Sequence, residues 1–185
     1  MEVDASTILD GVVLVHLVVH EDGRGSLVET WRREWVPGCG EMVQANRVDR
    51  VAGSLVGLHY HLYQADFWYV AAGRVRVGLH DLRVGSPTEG ATEMFDIYAD
   101  GPTGHRGVYI PPGVAHGFAA FSDVTITYLV DRTYDPGDEL GLAWDDQEVA
   151  AEWGLTDPLL SDRDRANPTR SEIVDRLRPV HAARS

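Results

Sequence analysis

Turn-forming clusters punctuate this chain at fairly regular intervals, leaving only short apolar or alternating segments between them. That pattern restricts the chain to folds built from many short strands, a sandwich or a barrel. Arg74–Leu82 shows it most clearly. Val75, Val77, Leu79 and Asp81 fall on one face, and Arg74, Arg76, Gly78 and His80 on the other. The segment ends at Gly85-Ser86-Pro87-Thr88. Gly11–Val19 closes at Glu21-Asp22-Gly23, and Leu27–Val36 at Pro37-Gly38. Further strand candidates are Glu41–Val48, Gly53–His61, Phe67–Ala72, Glu93–Tyr98, Val108–Ile110, His116–Phe121 and Thr125–Asp131. The expectation is an all-β domain whose turns are supplied by 19 glycines and 9 prolines.

Beyond Asp135 the composition changes. Asp145–Glu152 is acidic, with small apolar residues, and reads as a short helix or a loop. Thr169-Arg170-Ser171-Glu172 has capping-box spacing ahead of Ile173, Val174 and Leu177, and Pro179 would stop the helix. The chain therefore divides into a β-domain over residues 1–167 and a solvated C-terminal tail over 168–185, with a short helical extension.

Composition excludes several partners. With 29 acidic residues against 16 Lys and Arg, the net charge is −13, and nucleic acid and anionic membranes both require a basic footprint. Cys39 is the only cysteine, so no intramolecular disulfide can form. Met1-Glu2-Val3-Asp4 is acidic where a signal peptide would be basic. The apolar run Val12–Val19 is interrupted by His16 and too short to span a bilayer. A cytoplasmic protein is expected.

Chemistry concentrates in a set of histidines. The spacing reads Gly53-x5-His59-x-His61-x4-Asp66-x6-Gly73, then Pro111-x-Gly113-x2-His116. Residues two apart on a strand share a face, so His59 and His61 can both point into a barrel. The set resembles the two motifs of the cupin superfamily, double-stranded β-helix (jelly-roll) barrels, with Asp where Glu is usual. In metal-binding cupins it corresponds to a three-histidine, one-carboxylate centre: His59, His61, Asp66 and His116. Such ligands suit one divalent transition metal (Fe, Mn, Ni, Cu, Zn or Co), and affinity order does not choose among them. Without a metal, His61 is a half-buried strand residue and Asp66 a loop carboxylate.

A longer resemblance runs from about residue 10 to 167, to the dTDP-4-dehydrorhamnose 3,5-epimerase family within the cupins. It is carried by Asp22-Gly23-Arg24-Gly25-Ser26-Leu27-Val28-Glu29, Gln44-Ala45-Asn46, Gly57-Leu58-His59-Tyr60 and Asp81-Leu82-Arg83 before Ser86-Pro87-Thr88. Ile110–Phe118, Tyr128, Tyr134-Asp135-Pro136, Gly141–Asp146 and Ser161-Asp162-Arg163-Asp164 continue it in family order. The resemblance implies proton chemistry beside the C4 ketone of a nucleotide-linked 4-keto-6-deoxy sugar. His59 would be the base, Asp164 its orienting carboxylate and Tyr128 the acid. Tyr134 would stack on the nucleobase, and Arg24, Glu29, Gln44, Asn46 and His116 would contact substrate. It also implies a homodimer and no organic cofactor.

Three positions depart from the family. Asp66 stands where the family has a catalytic lysine, His61 where it has Gln, and Val56 where it has a phosphate-binding arginine. The first two changes together replace an enolate-stabilising ammonium with metal ligands, so a bound cation would take over that role. His59 would then be claimed both as ligand and as base. Two classes follow: a sugar epimerase or isomerase, possible with or without metal, and a metal-dependent cupin oxygenase, lyase or isomerase acting on a small non-nucleotide substrate. A non-catalytic sugar-binding cupin is a third, and the first is favoured.

Overall fold

Alternation along the strands requires each sheet to bury at least one face, and here both sheets bury two. The structure is a computed structural model that describes residues 1–99 and 104–181. One sheet has six strands in the order β1 (Glu2–Ala5), β2 (Val13–His16), β10 (Arg106–Ile110), β7 (Asp66–Ala72), β12 (Val124–Val130) and β5 (Gln44–Arg50). The other has five: β13 (Leu140–Gly141), β6 (Leu55–Tyr60), β11 (Val114–Ala120), β8 (Arg74–Asp81) and β9 (Thr92–Tyr98). β3 (Val19–Asp22) and β4 (Gly25–Val28) form a separate hairpin. This is the expected all-β jelly-roll barrel.

Three apolar layers explain the patterning. Between the sheets lie Trp68, Val70, Val108 and Ile126 from one side and Val75, Val77, Leu79 and Phe118 from the other. The outer face of the six-stranded sheet packs Val13, Val15, Phe67, Tyr69 and Tyr109 against Trp35 and Val36. On the outer face of the five-stranded sheet, Leu58, Tyr60, Ala115 and Ala119 meet Leu142, Trp153 and Ile173 from the C-terminal segment. β11 is thus buried on both faces, large residues inward and small ones outward. The small residues are needed to make room for Trp153. A Cβ on Gly78 would lie 2.5 Å from the Trp153 ring, and one on Gly117 3.2 Å from it.

Several local expectations are corrected. Leu27–Val36 is not one strand: β4 ends at Val28, and Arg33–Trp35 is a 3-10 turn that sends the Trp35 side chain into the core. Asp145–Glu152, read as a short helix or a loop, is the latter: turns with no regular helix. The Thr169–Glu172 capping box forms, but it caps a 3-10 turn over Arg170–Glu172, followed by a second over Asp175–Leu177. Ile173 turns extended between them and is buried against the barrel, which breaks the helix the spacing predicted. Among the described residues the α-helical content is a single turn, α1 (Asp162–Arg165), whose N-cap Ser161 accepts from the Asp164 N–H. Nor are residues 168–181 a solvated tail. Val84 N–H donates to Pro179 O, His181 N–H to Val84 O, and the His181 ring pairs with Asp10. Residues 182–185 lie outside the described set. Among the described residues no helix is long and apolar enough to cross a membrane.

One buried group makes stability depend on pH. Thr92 Oγ1 donates to Val149 O, so it must accept from His80 Nδ1–H, which leaves the lone pair on the fully buried Nε2 unpartnered among the described residues. Burial, with Arg170 nearby, lowers the His80 pKa from 6.5 to about 4. The unfolded chain therefore binds more protons between those values, and stability falls as pH drops through that window. The expected loss from His80 is about 3 kcal/mol between pH 6.5 and 4. Urea melts across that range should be visibly flatter in His80→Leu. Equal slopes would remove His80 as the cause.

Candidate active site

The strand periods bring polar side chains from both sheets into one cavity of about 230 Å³. β6 and the loop after it contribute His59, His61 and Gln64; β7 contributes Asp66 and Trp68; β11 contributes His116 and Phe118; β12 contributes Tyr128. Val48, Arg50, Val56, Ile126, Glu139 and Arg163 complete the lining. The approach of β6 to β11 depends on Gly57, whose φ is +101° and whose Cβ would lie 2.6 Å from His116 O. The register shifts just beyond the His116–His59 pair, leaving those two rings on adjacent strands at the cavity wall.

His59 and His61 share a face but meet different partners. His59 Nε2 lies 2.6 Å from Asp164 Oδ1, across 105 positions of sequence. A carboxylate oxygen accepts, so Nε2 carries the proton and the basic lone pair is on Nδ1. Burial alone would raise the Asp164 carboxyl. Hydrogen bonds from His59, Ser161 and the Gly57 backbone, together with the imidazole charge, instead hold it below the ordinary carboxylate range. Tyr128 lies on the opposite sheet. Burial and the nearby charges of Asp66 and Glu139 raise its pKa, so it is a protonated phenol at neutral pH.

The other two histidines cluster with Asp66. His61, Asp66 and His116 are buried, and each offers a ligand atom within 4.8 Å of the others. His59, expected as a fourth ligand, is not in that group, and its Nε2 pairs instead with Asp164. Burial, opposed in part by Asp66, lowers the His116 pKa to about 4. Gln64 Nε2 bridges His61 Nε2 and Asp66 Oδ1 at 3.2 and 2.9 Å.

Of the expected substrate contacts, only His116 lines the main cavity and only Tyr134 lines the adjoining groove. Gln44 and Asn46 hydrogen-bond each other on β5, and Gln44 Oε1 accepts from the Tyr134 N–H. The Tyr134 ring is exposed in a groove with Tyr63, Arg132 and Asp135 that shares Gln64 with the main cavity. Arg24 and Glu29 do not line either space. Arg24 pairs with Asp22 at the tip of the β3–β4 hairpin, and Glu29 pairs with Arg32, all on the surface. Sequence reasoning missed Gln64, Glu139, Arg50 and Arg163. The last was legible as the neighbour of Asp164: one helical turn sends Asp164 to His59 while Arg163 grips Glu139.

Comparison with known proteins assigns the chain to a family. The family model for dTDP-4-dehydrorhamnose 3,5-epimerase matches residues 6–172. A dTDP-4-dehydrorhamnose 3-epimerase of Streptomyces niveus is 39% identical over 149 residues, covering 76% of this chain and 69% of that protein. The crystal structure of NovW, a 4-keto-6-deoxy sugar epimerase from the novobiocin cluster of Streptomyces spheroides, superposes with a TM-score of 0.89 at 32% identity, over 98% of this chain and 94% of its own. The dTDP-6-deoxy-D-glucose-3,5-epimerase RmlC of Legionella pneumophila, in complex with dTDP-4-keto-L-rhamnose, gives 0.90 at 28% identity, over 98% and 100%. Sequence match, superposition and the barrel that carries the site agree: the chain belongs to the dTDP-4-dehydrorhamnose 3,5-epimerase family.

Proposed function

We propose that this protein epimerises a carbon next to the C4 ketone of a dTDP-linked 4-keto-6-deoxy sugar. The observation that carries the reading is a base and an acid on opposite walls of one cavity: the His59–Asp164 pair on the β6 side and Tyr128 on β12. His59 Nδ1 removes the α-proton, Asp164 stabilises the imidazolium that forms, and the neutral Tyr128 phenol returns a proton to the other face. Inversion needs two such walls; a single acid–base group would return the proton to the face it came from. The sugar occupies the main cavity. The nucleotide lies along the groove of Tyr63, Arg132 and Tyr134, where an exposed ring suits a base and Arg132 suits a diphosphate.

The test is incubation with a dTDP-4-keto-6-deoxy sugar in deuterated water. The wild type should give the epimer with deuterium at C3, C5 or both. Tyr128→Phe should still wash deuterium in, through His59 alone, while inversion falls by about 10²-fold. Absence of deuterium from wild-type product, with a proven epimerase as positive control, would remove this substrate class.

The reading includes a homodimer. β1 is an edge strand exposed along its whole length, and such edges pair readily with a second copy. It also places the enzyme in the cytoplasm, where a lone buried thiol such as Cys39 stays reduced.

A further inference from the structure

We infer that His61, Asp66 and His116 form a binding centre for one divalent first-row transition cation, separate from the His59–Asp164 pair. Its catalytic role rests on the epimerase reading; its existence does not.

The donor set carries the argument. A backbone carbonyl can only accept, so the contacts of His61 Nδ1 to Asp138 O at 2.8 Å and His116 Nδ1 to Val114 O at 3.1 Å fix both protons on Nδ1. Both Nε2 lone pairs then face the same carboxylate, His61 at 3.9 Å from Asp66 Oδ1 and His116 at 3.8 Å from Oδ2. Those gaps are too long for hydrogen bonds and hold no proton. They do fit two donors, each roughly 2.1 Å from a shared ion.

Asp66 is 3% exposed, and it accepts only neutral donors, Gln64 Nε2 and Trp68 Nε1 at 3.1 Å. Among the described residues no Lys or Arg pairs with it. The neutral Gln64 amide bridges the His61 lone pair and Asp66, so a carboxylate buried against two imidazole lone pairs has no cationic partner, and a shared cation that displaced Gln64 would supply one. The surroundings also hold the donors in place. Asp138, whose carbonyl orients His61, accepts with its side chain from Leu62 and Tyr63 N–H, pinning the loop. Support of this kind behind a ligating imidazole is what metal sites require.

Two imidazoles and one carboxylate suit Fe, Mn, Co, Ni or Zn, and three protein ligands leave coordination positions open toward the cavity. A cation there supplies Lewis-acid stabilisation for an oxygen that gains charge as His59 removes a proton.

The experiment uses the whole protein, purified without a metal column, stripped with chelator and titrated with Co²⁺. One equivalent per chain, visible d–d absorption and a rise in melting temperature are expected. Asp66→Asn and His116→Gln should bind more than about 100-fold more weakly, beyond the loss typical of an outer-shell change. His59→Asn should bind as the wild type does while losing deuterium exchange, so a failed metal site and a failed epimerase reading give different results. If the ligand variants do not fold, nitrogen couplings from two imidazoles in pulsed EPR of Cu²⁺-loaded wild type decide the matter. Absence of saturable binding, equal binding by wild type and Asp66→Asn, or a spectrum without imidazole nitrogen would overturn the inference.

Discussion

His59→Asn is expected to lower both deuterium exchange and epimerisation by about 10²- to 10⁴-fold, with little change in fold. The asparagine is too short to replace Nε2 at Asp164, and it offers no group that accepts a proton near neutral pH. Asp164→Asn should fall in the same range by a different route. The Ser161 hydroxyl and the Gly57 backbone lie beside the Asp164 carboxylate as well as His59, and all three favour its charged form. Ser161 and Gly57 would hold the asparagine carbonyl and turn its NH2 toward His59 Nε2. The imidazole would then carry its proton on Nδ1, and the lone pair that should face the substrate would be spent on the amide. Binding of dTDP should survive in both variants, because neither residue belongs to the Tyr63–Arg132–Tyr134 groove. Turnover within threefold of wild type in either variant would remove this pair from the chemistry.

Asp81→Ala is expected to destabilise the protein by about 3–5 kcal/mol, the largest stability effect anticipated. Asp81 is fully buried and accepts from Arg83 N, Nε and Nη2, Ser86 Oγ and Thr88 Oγ1. Burial opposes its ionisation, yet these donors lower its pKa to about 2. Truncation leaves the Arg83 guanidinium, itself 6% exposed, with only the Asp10 carbonyl. Asp81→Asn keeps the volume but loses the charge and some acceptor capacity, so it should fall between alanine and wild type. Urea unfolding would measure all three. An alanine variant within 1 kcal/mol of wild type would mean that the cluster relaxes to water.

Much of the barrel was legible because alternation reports which side of a strand is buried. Arg74–Leu82 became β8 almost residue for residue, with Val75, Val77 and Leu79 in the intersheet layer. The same rule set His59 and His61 on one face, but it could not say what each ring would meet. Their partners, Asp164 and the Asp138 carbonyl, come from chain far downstream, and only tertiary placement separates a base from a ligand. Arg24 and Glu29 lie apart from the cavity of the single chain for a related reason. They sit in family order, yet the hairpin that carries Arg24 stands outside both sheets. The C-terminal helix failed because capping spacing is a local signal, whereas burial of Ile173 is not.

That the orienting carboxylate comes from beyond the barrel has a consequence in time. Asp164 reaches His59 only after its segment has docked, with Leu159 N–H donating to Gly53 O, Leu55 N–H to Leu159 O, and Trp153 seated over Gly78 and Gly117. A ribosome finishes every strand of both sheets well before it emits residue 164. A nascent chain can therefore complete its sheets while its base still lacks a partner. A chain cut short after the final strand would lack Asp164, the Arg163 lining and the Trp153 and Ile173 cover of the five-stranded sheet, so His59 would stand without its partner in an incomplete pocket.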